Sequence, residues 1–151
     1  MHDKKELLSE LRRFYSIWGQ FNAVYEEWAK ERGLSSNGVL ILSSLYESEE
    51  ACTQKSLSQK WSIPKQTVNS VLKKFIEDGY VELITSKEDK RNKLLKLTKS
   101  GRIYAEGIVT ELQEKELFVI EHAGLSNIKQ MNDIGDSFLK FFREGVSLEN
   151  D

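Results

Sequence analysis

The chain is poor in the residues from which most catalytic and metal sites are built. Among 151 residues there is one cysteine, Cys52, and there are two histidines, His2 and His122. A single cysteine excludes an internal disulfide and suits a reducing compartment. No cysteine and histidine have the spacing of zinc ligands, and the sequence contains neither a glycine-rich phosphate loop nor a nucleophile elbow. The sequence therefore predicts no metal, no cofactor and no enzymatic activity.

Long apolar runs are also absent. No stretch of about 18 apolar residues occurs, so the sequence predicts no membrane span, and the first residues lack the apolar core of a signal peptide. With 39% hydrophobic and 30% charged residues, the composition is typical of a soluble, mostly helical protein. We expect one domain over residues 1–151 and a cytoplasmic location.

The charge is divided unevenly along the chain. The segment 53–101 has eleven lysine and arginine residues and five acidic residues, a net charge of +6, whereas the whole chain carries −2, so the remainder carries −8. A strongly basic module within an acidic chain indicates where a polyanion such as nucleic acid binds.

The basic segment begins with two helical patterns joined by a tight turn. Pro64 suits the first turn of the second helix, and Gly79 should end it. Apolar residues recur at helical spacing and should face the core: Val68, Val71, Leu72, Phe75 and Ile76. The other side chains of this helix are types that hydrogen-bond base edges and phosphates. They are Lys65, Gln66, Thr67, Asn69, Ser70 and Lys73.

A β-hairpin is predicted next, because apolar residues alternate in two short stretches. The alternating pairs are Val81 and Leu83, then Leu95 and Leu97. The polar tip between them contains Lys87, Asp89, Lys90 and Arg91. An arginine at such a tip can enter a minor groove, whose negative potential attracts it. Thr98 is predicted to cap the helix that follows.

This order of helix, turn, helix and hairpin is that of a winged helix-turn-helix, and it resembles the DNA-binding domain of the MarR family of bacterial transcription regulators. The matching stretches are Thr53-Gln54-Lys55-x-Leu57, Pro64-Lys65-Gln66-Thr67-Val68, Gly79-Tyr80-Val81-Glu82, Asp89-Lys90-Arg91 and Leu97-Thr98-x-x-Gly101. They cover about a third of the chain closely. The family often has an arginine where this chain has Ser70, so the resemblance does not imply guanine readout from that position.

The resemblance implies a mainly α fold with a small β-hairpin wing. A winged helix-turn-helix core of about residues 36–101 would be flanked by dimerisation helices of about 4–32 and 102–146. It also implies a homodimer that binds a pseudo-palindromic double-stranded DNA operator and acts as an effector-responsive repressor. Each recognition helix and wing would then engage one half-site.

The flanking regions have broad apolar faces that fit a dimer. In the first predicted helix, which Gly33 should end, apolar residues follow a heptad spacing: Leu7, Leu11, Phe14, Trp18, Phe21, Tyr25 and Trp28. In the last predicted helix they are Ile128, Met131, Ile134, Phe138, Leu139, Phe141 and Phe142. Such faces can pack within one chain or between two, and the resemblance favours packing between two chains.

The resemblance further implies a small-molecule pocket where the dimerisation helices meet the DNA-binding core. Aromatic side chains expected near that place are Phe14, Trp18, Phe21 and Tyr46. They would suit an apolar or aromatic effector, for example an aromatic acid. The alternative is that these rings belong only to the core.

Cys52 has two interpretations. Some regulators of the family sense oxidants through a reactive thiol, and Cys52 precedes a predicted helix start with Lys55 nearby, as a reactive thiolate requires. Glu49 and Glu50 oppose that effect, so a structural role is favoured.

Two other functions stay open at this point. The winged module could bind another protein, although such a surface need not be basic, or the chain could bind a small molecule without specific DNA binding. The operator, its target genes, the effector and the direction of regulation are not encoded in any pattern of the sequence.

Overall fold

The structure, a computed structural model, describes residues 3–48, 51–85 and 93–145. These residues form helices α1 (Lys4–Glu31), α2 (Ser36–Glu47), α3 (Gln54–Trp61), α4 (Lys65–Glu77), α5 (Lys99–Ala123) and α6 (Leu125–Glu144), and strands β1 (Val81–Thr85) and β2 (Lys93–Leu97). The coordinates divide into two compact units, residues 1–109 and 110–151, and α5 contributes to both. The predicted fold class, mainly α with a two-stranded antiparallel hairpin, is confirmed.

The first two helices begin at side-chain caps, and the first ends before the glycine that the sequence predicts. The Asp3 side chain accepts a hydrogen bond from the Lys5 N–H at 3.1 Å and starts α1. Gly33, with φ of +71°, lies in the left-handed region just after α1 ends, which glycine adopts without a steric penalty. The Ser35 hydroxyl accepts from the Gly38 N–H at 3.1 Å and starts α2.

The core of the first unit lies between α2, the helix-turn-helix and the base of the hairpin. Its fully buried large side chains include Ile41, Leu42, Leu57 and Val68. They pack in one cluster with Leu45, Ile63, Leu72, Phe75, Val81, Leu95, Leu97 and Ala105. Burying each of these aliphatic or aromatic side chains contributes about 1.5–3 kcal/mol relative to leaving it exposed. This cluster is what holds α4 and the hairpin to the rest of the unit.

The hairpin pairs Val81 with Leu97 and Leu83 with Leu95. Leu83 alternates with the buried Val81, but 47% of its own surface is exposed. Leu95 is buried because the segment at Cys52 covers the other side of β2, where the Leu95 N–H donates to the Cys52 carbonyl oxygen at 2.7 Å. Leu83 lies on the outer strand, two residues farther from the helical core than Val81, and receives no such cover from the described residues.

Ile76 was expected in the core, and this prediction is wrong. It is 37% exposed, whereas Leu72 and Phe75 are buried. One further residue along a helix rotates a side chain by about 100°, which places Ile76 at the edge of the buried face of α4. The buried face of α4 is therefore narrower than the sequence suggested.

The second unit contains the later part of α5 and all of α6. Gly124, with φ of +90°, separates the two helices. No residue of α6 is buried within the described chain. Its apolar side chains therefore have no counterpart within the described residues that removes them from water.

Candidate nucleic-acid interface

The turn between α3 and α4 is fixed by its own backbone and one serine. Ser62 adopts a left-handed conformation with φ of 52°. The Ile63 N–H donates to the Ser58 carbonyl oxygen at 3.1 Å, and the Ser58 hydroxyl donates to the Ile63 carbonyl oxygen at 2.7 Å. Ile63 is buried, so the turn is held from the core side while α4 leaves it toward solvent.

Helix α4 has one buried face and one exposed polar face. Val68, Leu72 and Phe75 are buried and Val71 is half-buried. The residues predicted to contact DNA are exposed, except Thr67, which is half-buried. The exposed ones are Lys65, Gln66, Asn69, Ser70 and Lys73. The structure thus brings these five side chains to one accessible surface of a single helix.

The amino end of α4 offers backbone donors to solvent. Pro64 is the N-cap and provides no side-chain cap, and the helical ladder starts with the Val68 N–H donating to the Pro64 carbonyl oxygen at 3.1 Å. The N–H groups of Lys65, Gln66 and Thr67 precede that first ladder bond. Free N–H groups at a helix start, together with the helix dipole, attract phosphate.

Two side chains of the exposed face have partners within α4. The Ser70 hydroxyl donates to the Gln66 carbonyl oxygen at 2.9 Å, so its single hydrogen is directed back to the helix and its oxygen can only accept from a base. Lys73 Nζ lies 3.9 Å from Glu77 Oε1, and both side chains are mostly exposed. Such a surface pair contributes only about 0–1 kcal/mol, so Lys73 can exchange Glu77 for a phosphate.

The wing tip predicted to contact DNA comprises Lys87, Asp89, Lys90 and Arg91, which lie outside the described residues. The strands on either side of it are described. β1 starts at Val81 and β2 ends at Leu97, and these two paired residues are buried in the core. The base of the wing is therefore anchored to the same cluster as α4.

The four predicted effector residues do not line one described cavity. Tyr46 is half-buried and lines a cavity of about 540 Å³ together with Cys52, Ile84, Lys96 and Arg102. The Arg102 guanidinium carbon lies 5.1 Å from the Tyr46 ring centroid, within the range of a cation–π contact. The rings of Phe14, Trp18 and Phe21 lie on α1, are exposed, and do not line this cavity.

Cys52 is a half-buried thiol just before the Thr53 cap of α3. It lines the Tyr46 cavity and a second one of about 400 Å³ with Ser44, Ser56 and Lys60. Its backbone pairs with Leu95 of β2. This backbone pairing is in line with the favoured structural role and leaves a redox role as an untested prediction.

Comparisons with known proteins point to one family. A sequence model of the MarR family matches residues 32–92, the segment that holds α2, α3, α4 and β1. The HTH-type transcriptional regulator SarZ of Staphylococcus haemolyticus is 32% identical over 77 residues, which are 51% of this chain and 52% of SarZ. The chain therefore spans about half the length of this relative.

Solved structures extend the likeness to nearly the whole chain. NMB1585, a MarR family regulator from Neisseria meningitidis, matches with a TM-score of 0.77 and 27% identity over 89% of this chain and 94% of its own. The chain resembles regulators of the MarR family in sequence and in fold. Another similar structure, Staphylococcus aureus MarR in complex with salicylate and kanamycin, matches with a TM-score of 0.67 and 26% identity over 91% of this chain and 96% of its own.

Two contacts of this helix-turn-helix had no signal in the sequence. The Gln54 side-chain amide on α3 donates to the Lys65 carbonyl oxygen at 3.2 Å, which connects the starts of α3 and α4. Lys74 Nζ donates to the Gly33 carbonyl oxygen at 3.3 Å, so Lys74 points to the α1–α2 turn while Lys73 next to it faces solvent. These polar contacts join residues that are 11 and 41 positions apart in the sequence. Contacts at such separations follow no helix or strand periodicity, so the sequence does not predict them.

Across residues 3–48, 51–85 and 93–145, no three histidine, cysteine or acidic side chains converge as metal ligands do. None of the helices in the same ranges combines the length and the apolar content that a bilayer span requires.

Proposed function

We propose that this MarR-family transcription regulator binds double-stranded DNA sequence-specifically as a homodimer and represses transcription in response to a small molecule. The proposal rests on the recognition helix α4, which has one buried face and one exposed face. Helix α4 is held by a buried face, while its opposite, exposed face presents Lys65, Gln66, Asn69, Ser70 and Lys73. A helix presented in this way fits the major groove, which admits an α-helix.

The roles of the exposed side chains follow from their chemistry. Gln66 and Asn69 carry an amide that can bind adenine through two hydrogen bonds. Lys65 and Lys73 carry a point charge that binds phosphate without reading sequence. At the predicted wing tip, Arg91 would enter the minor groove, with Asp89 two residues before it orienting a basic side chain.

A homodimer is supported by the apolar surface that this chain leaves exposed. On α1, Leu7 is 55% and Trp18 60% exposed, and on α6 Phe141 is 66% exposed. Each helix shows several more large apolar side chains in contact with water. Exposed apolar areas of this kind mark surfaces that associate, and two copies of one chain would place two α4 helices on one operator.

An effector site is supported by the cavity at Tyr46. It combines apolar walls with the charged side chains of Lys96, Arg102 and Glu47. Mostly apolar cavities with a few polar groups are typical ligand sites. Because S. aureus MarR is in complex with salicylate and kanamycin, salicylate is a suitable first probe for stabilisation of this protein and for release of its DNA.

The test is selection of DNA fragments by the purified protein from sheared genomic DNA, followed by titration at several salt concentrations. We expect the recovered fragments to share one pseudo-palindromic sequence, and to bind about 10³-fold or more tightly than scrambled duplexes of the same length. Equal affinity for specific and scrambled duplexes at every salt concentration would show that the protein binds DNA without sequence specificity. Absence of any duplex binding would favour a protein-binding winged module or a small-molecule binder.

A further inference from the structure

The recognition helix ends in a turn that directs its last carbonyl groups to another helix. Gly79 has φ of +75°. Its N–H donates to the Ile76 carbonyl oxygen at 3.0 Å, and the Tyr80 N–H donates to the Phe75 carbonyl oxygen at 2.8 Å. These two bonds are those of a Schellman motif, which closes the end of a helix. The carbonyl oxygens of Gly79 and Tyr80 then point beyond α4.

Helix α5 begins at these two carbonyl groups. The Thr98 hydroxyl donates to the Gly79 carbonyl oxygen at 2.7 Å and accepts from the Gly101 N–H at 3.0 Å. The Thr98 N–H donates to the Tyr80 carbonyl oxygen at 3.0 Å. A hydroxyl has one donor and two acceptor positions, so one side chain both caps α5 and binds the residue that ends α4.

The same place is tightly packed. A Cβ atom at Gly101 would overlap the Tyr80 carbonyl oxygen, so only glycine allows α5 to approach the turn this closely. The rings of Tyr80 and Tyr104 stack with centroids 4.2 Å apart and planes 8° apart. We call the contacts among Gly79, Tyr80, Thr98, Gly101 and Tyr104 the α4–α5 junction.

We propose that Thr98 is a positioning residue for DNA recognition, which sets the angle of α4 against the start of α5. This inference rests on the proposed DNA-binding function. In the proposed dimer each α4 must meet its own half-site, with half-sites about one helical turn apart. A change in the angle of α4 would therefore change the preferred half-site spacing of the operator in addition to the affinity.

The chain offers variants that separate positioning from stability. Thr98→Val removes the hydroxyl and keeps the shape, whereas Thr98→Ser keeps the hydroxyl. Ser100 lies 3.2 Å from the same Gly79 carbonyl oxygen and can replace part of the lost bond, so Thr98→Val combined with Ser100→Ala removes both donors. Ser35→Ala is the matched control, because it deletes an N-cap of the same unit whose hydroxyl bonds to Gly38 of α2.

The first measurement uses the free protein. Spin labels at Lys73 on α4 and Gly107 on α5, in a Cys52→Ser background and diluted with unlabelled chain, report the distance between the two helices. Gly107 accepts a side chain because nothing lies within 4 Å of its added Cβ atom. We expect a wider distance distribution for the double variant and wild-type width for Thr98→Ser and Ser35→Ala. Wild-type width in the double variant would overturn the proposal whether or not the protein binds DNA.

The second measurement uses operators whose half-sites are moved apart or together by one base pair. We expect the double variant to bind the natural spacing about tenfold less tightly and to lose its preference among the spacings. Thr98→Ser should retain both properties, and Ser35→Ala should retain the preference even where its melting temperature falls as far. An unchanged preference in the double variant, or an equal change in Ser35→Ala, would overturn the positioning role. A wild-type protein with no preferred duplex would refute the proposed function, while the label distances would still decide the angle of α4.

Discussion

At the scale of single residues, α4 carries two kinds of side chain on one surface. The amides of Gln66 and Asn69 can distinguish bases, because they match the donor and acceptor pattern of adenine in the major groove. The ammonium groups of Lys65 and Lys73 attract any phosphate, because they carry charge without a fixed geometry. Neighbouring positions of the same helix should therefore respond differently to truncation.

Asn69→Ala should reduce discrimination between the operator and its base-pair variants by about 1–3 kcal/mol, the range of one good base contact. Lys73→Ala should weaken binding to all duplexes alike and lower the salt slope by about one unit, since one phosphate contact is lost. The two effects are measured by titrating each variant with specific and scrambled duplexes at several salt concentrations. Lys74→Ala is the control, because Lys74 bonds to Gly33 and should leave the salt slope unchanged. A loss of specificity in Lys73→Ala equal to that in Asn69→Ala would show that the two roles are assigned wrongly.

At the scale of elements, α1 and α2 are connected by a charge-assisted hydrogen bond. The Glu26 Oε2 atom accepts from the Ser36 N–H at 2.9 Å. Hydrogen bonding by Ser36 lowers the pKa of Glu26 below its ordinary value, with a smaller lowering contribution from the charge of Lys30. Because the Glu26 pKa is lower in the folded state, its contribution to stability is present above the unfolded-state pKa and is lost as the pH falls through the folded-state value.

Glu26→Gln should therefore make the stability less dependent on acid pH. The amide oxygen can still accept from Ser36, but it has no proton to gain between neutral pH and about pH 3. The free energy of unfolding, measured by denaturant titration at both pH values, should fall less in the variant than in the wild type. Glu27→Gln removes the neighbouring carboxylate and serves as the control. A fall in Glu26→Gln as large as that in the wild type would show that this bond does not contribute to acid sensitivity.

The same elements show which parts of the fold can be predicted from the sequence. Helix bounds were predictable where one residue type decides them, as at Gly33 and Thr98. The exposed and buried faces of α4 followed from helical periodicity. Burial at the edges did not follow, because the exposure of Leu83 and Ile76 depends on which other segment covers them. That cover is a tertiary property with no local pattern.

The candidate site was predictable to the same extent. Periodicity placed Lys65 and Asn69 on a polar face, and resemblance assigned them a role. The spacing within Leu97-Thr98-x-x-Gly101 signalled a helix start, but it did not show that the Thr98 hydroxyl also binds Gly79, 19 residues earlier in the chain. The grouping of the predicted effector rings was not supported, because Tyr46 lines its cavity with β-strand and α5 residues and not with the rings of α1.

At the scale of the whole molecule, the proposed dimer would cover the apolar faces of α1 and α6. Leu7→Glu combined with Phe141→Glu should yield monomers or aggregates, because a carboxylate cannot be buried in an apolar interface without a partner. Sedimentation at micromolar concentration should show a dimer for the wild type. Asn22→Glu combined with Asn132→Glu adds the same charges at exposed polar positions of the same helices and should remain dimeric. A stable Leu7→Glu and Phe141→Glu monomer that binds the operator with wild-type affinity would refute the dimer.

The most direct test of a dimeric, sequence-reading regulator is titration of the wild-type protein with three duplexes of equal length. One carries the full selected operator, one has a single half-site scrambled, and one is scrambled throughout. We expect two chains per full operator, clearly weaker binding when one half-site is lost, and the weakest binding to the scrambled duplex, with the order kept as salt increases. Equal affinity for all three duplexes, or one chain bound per full operator, would contradict the account.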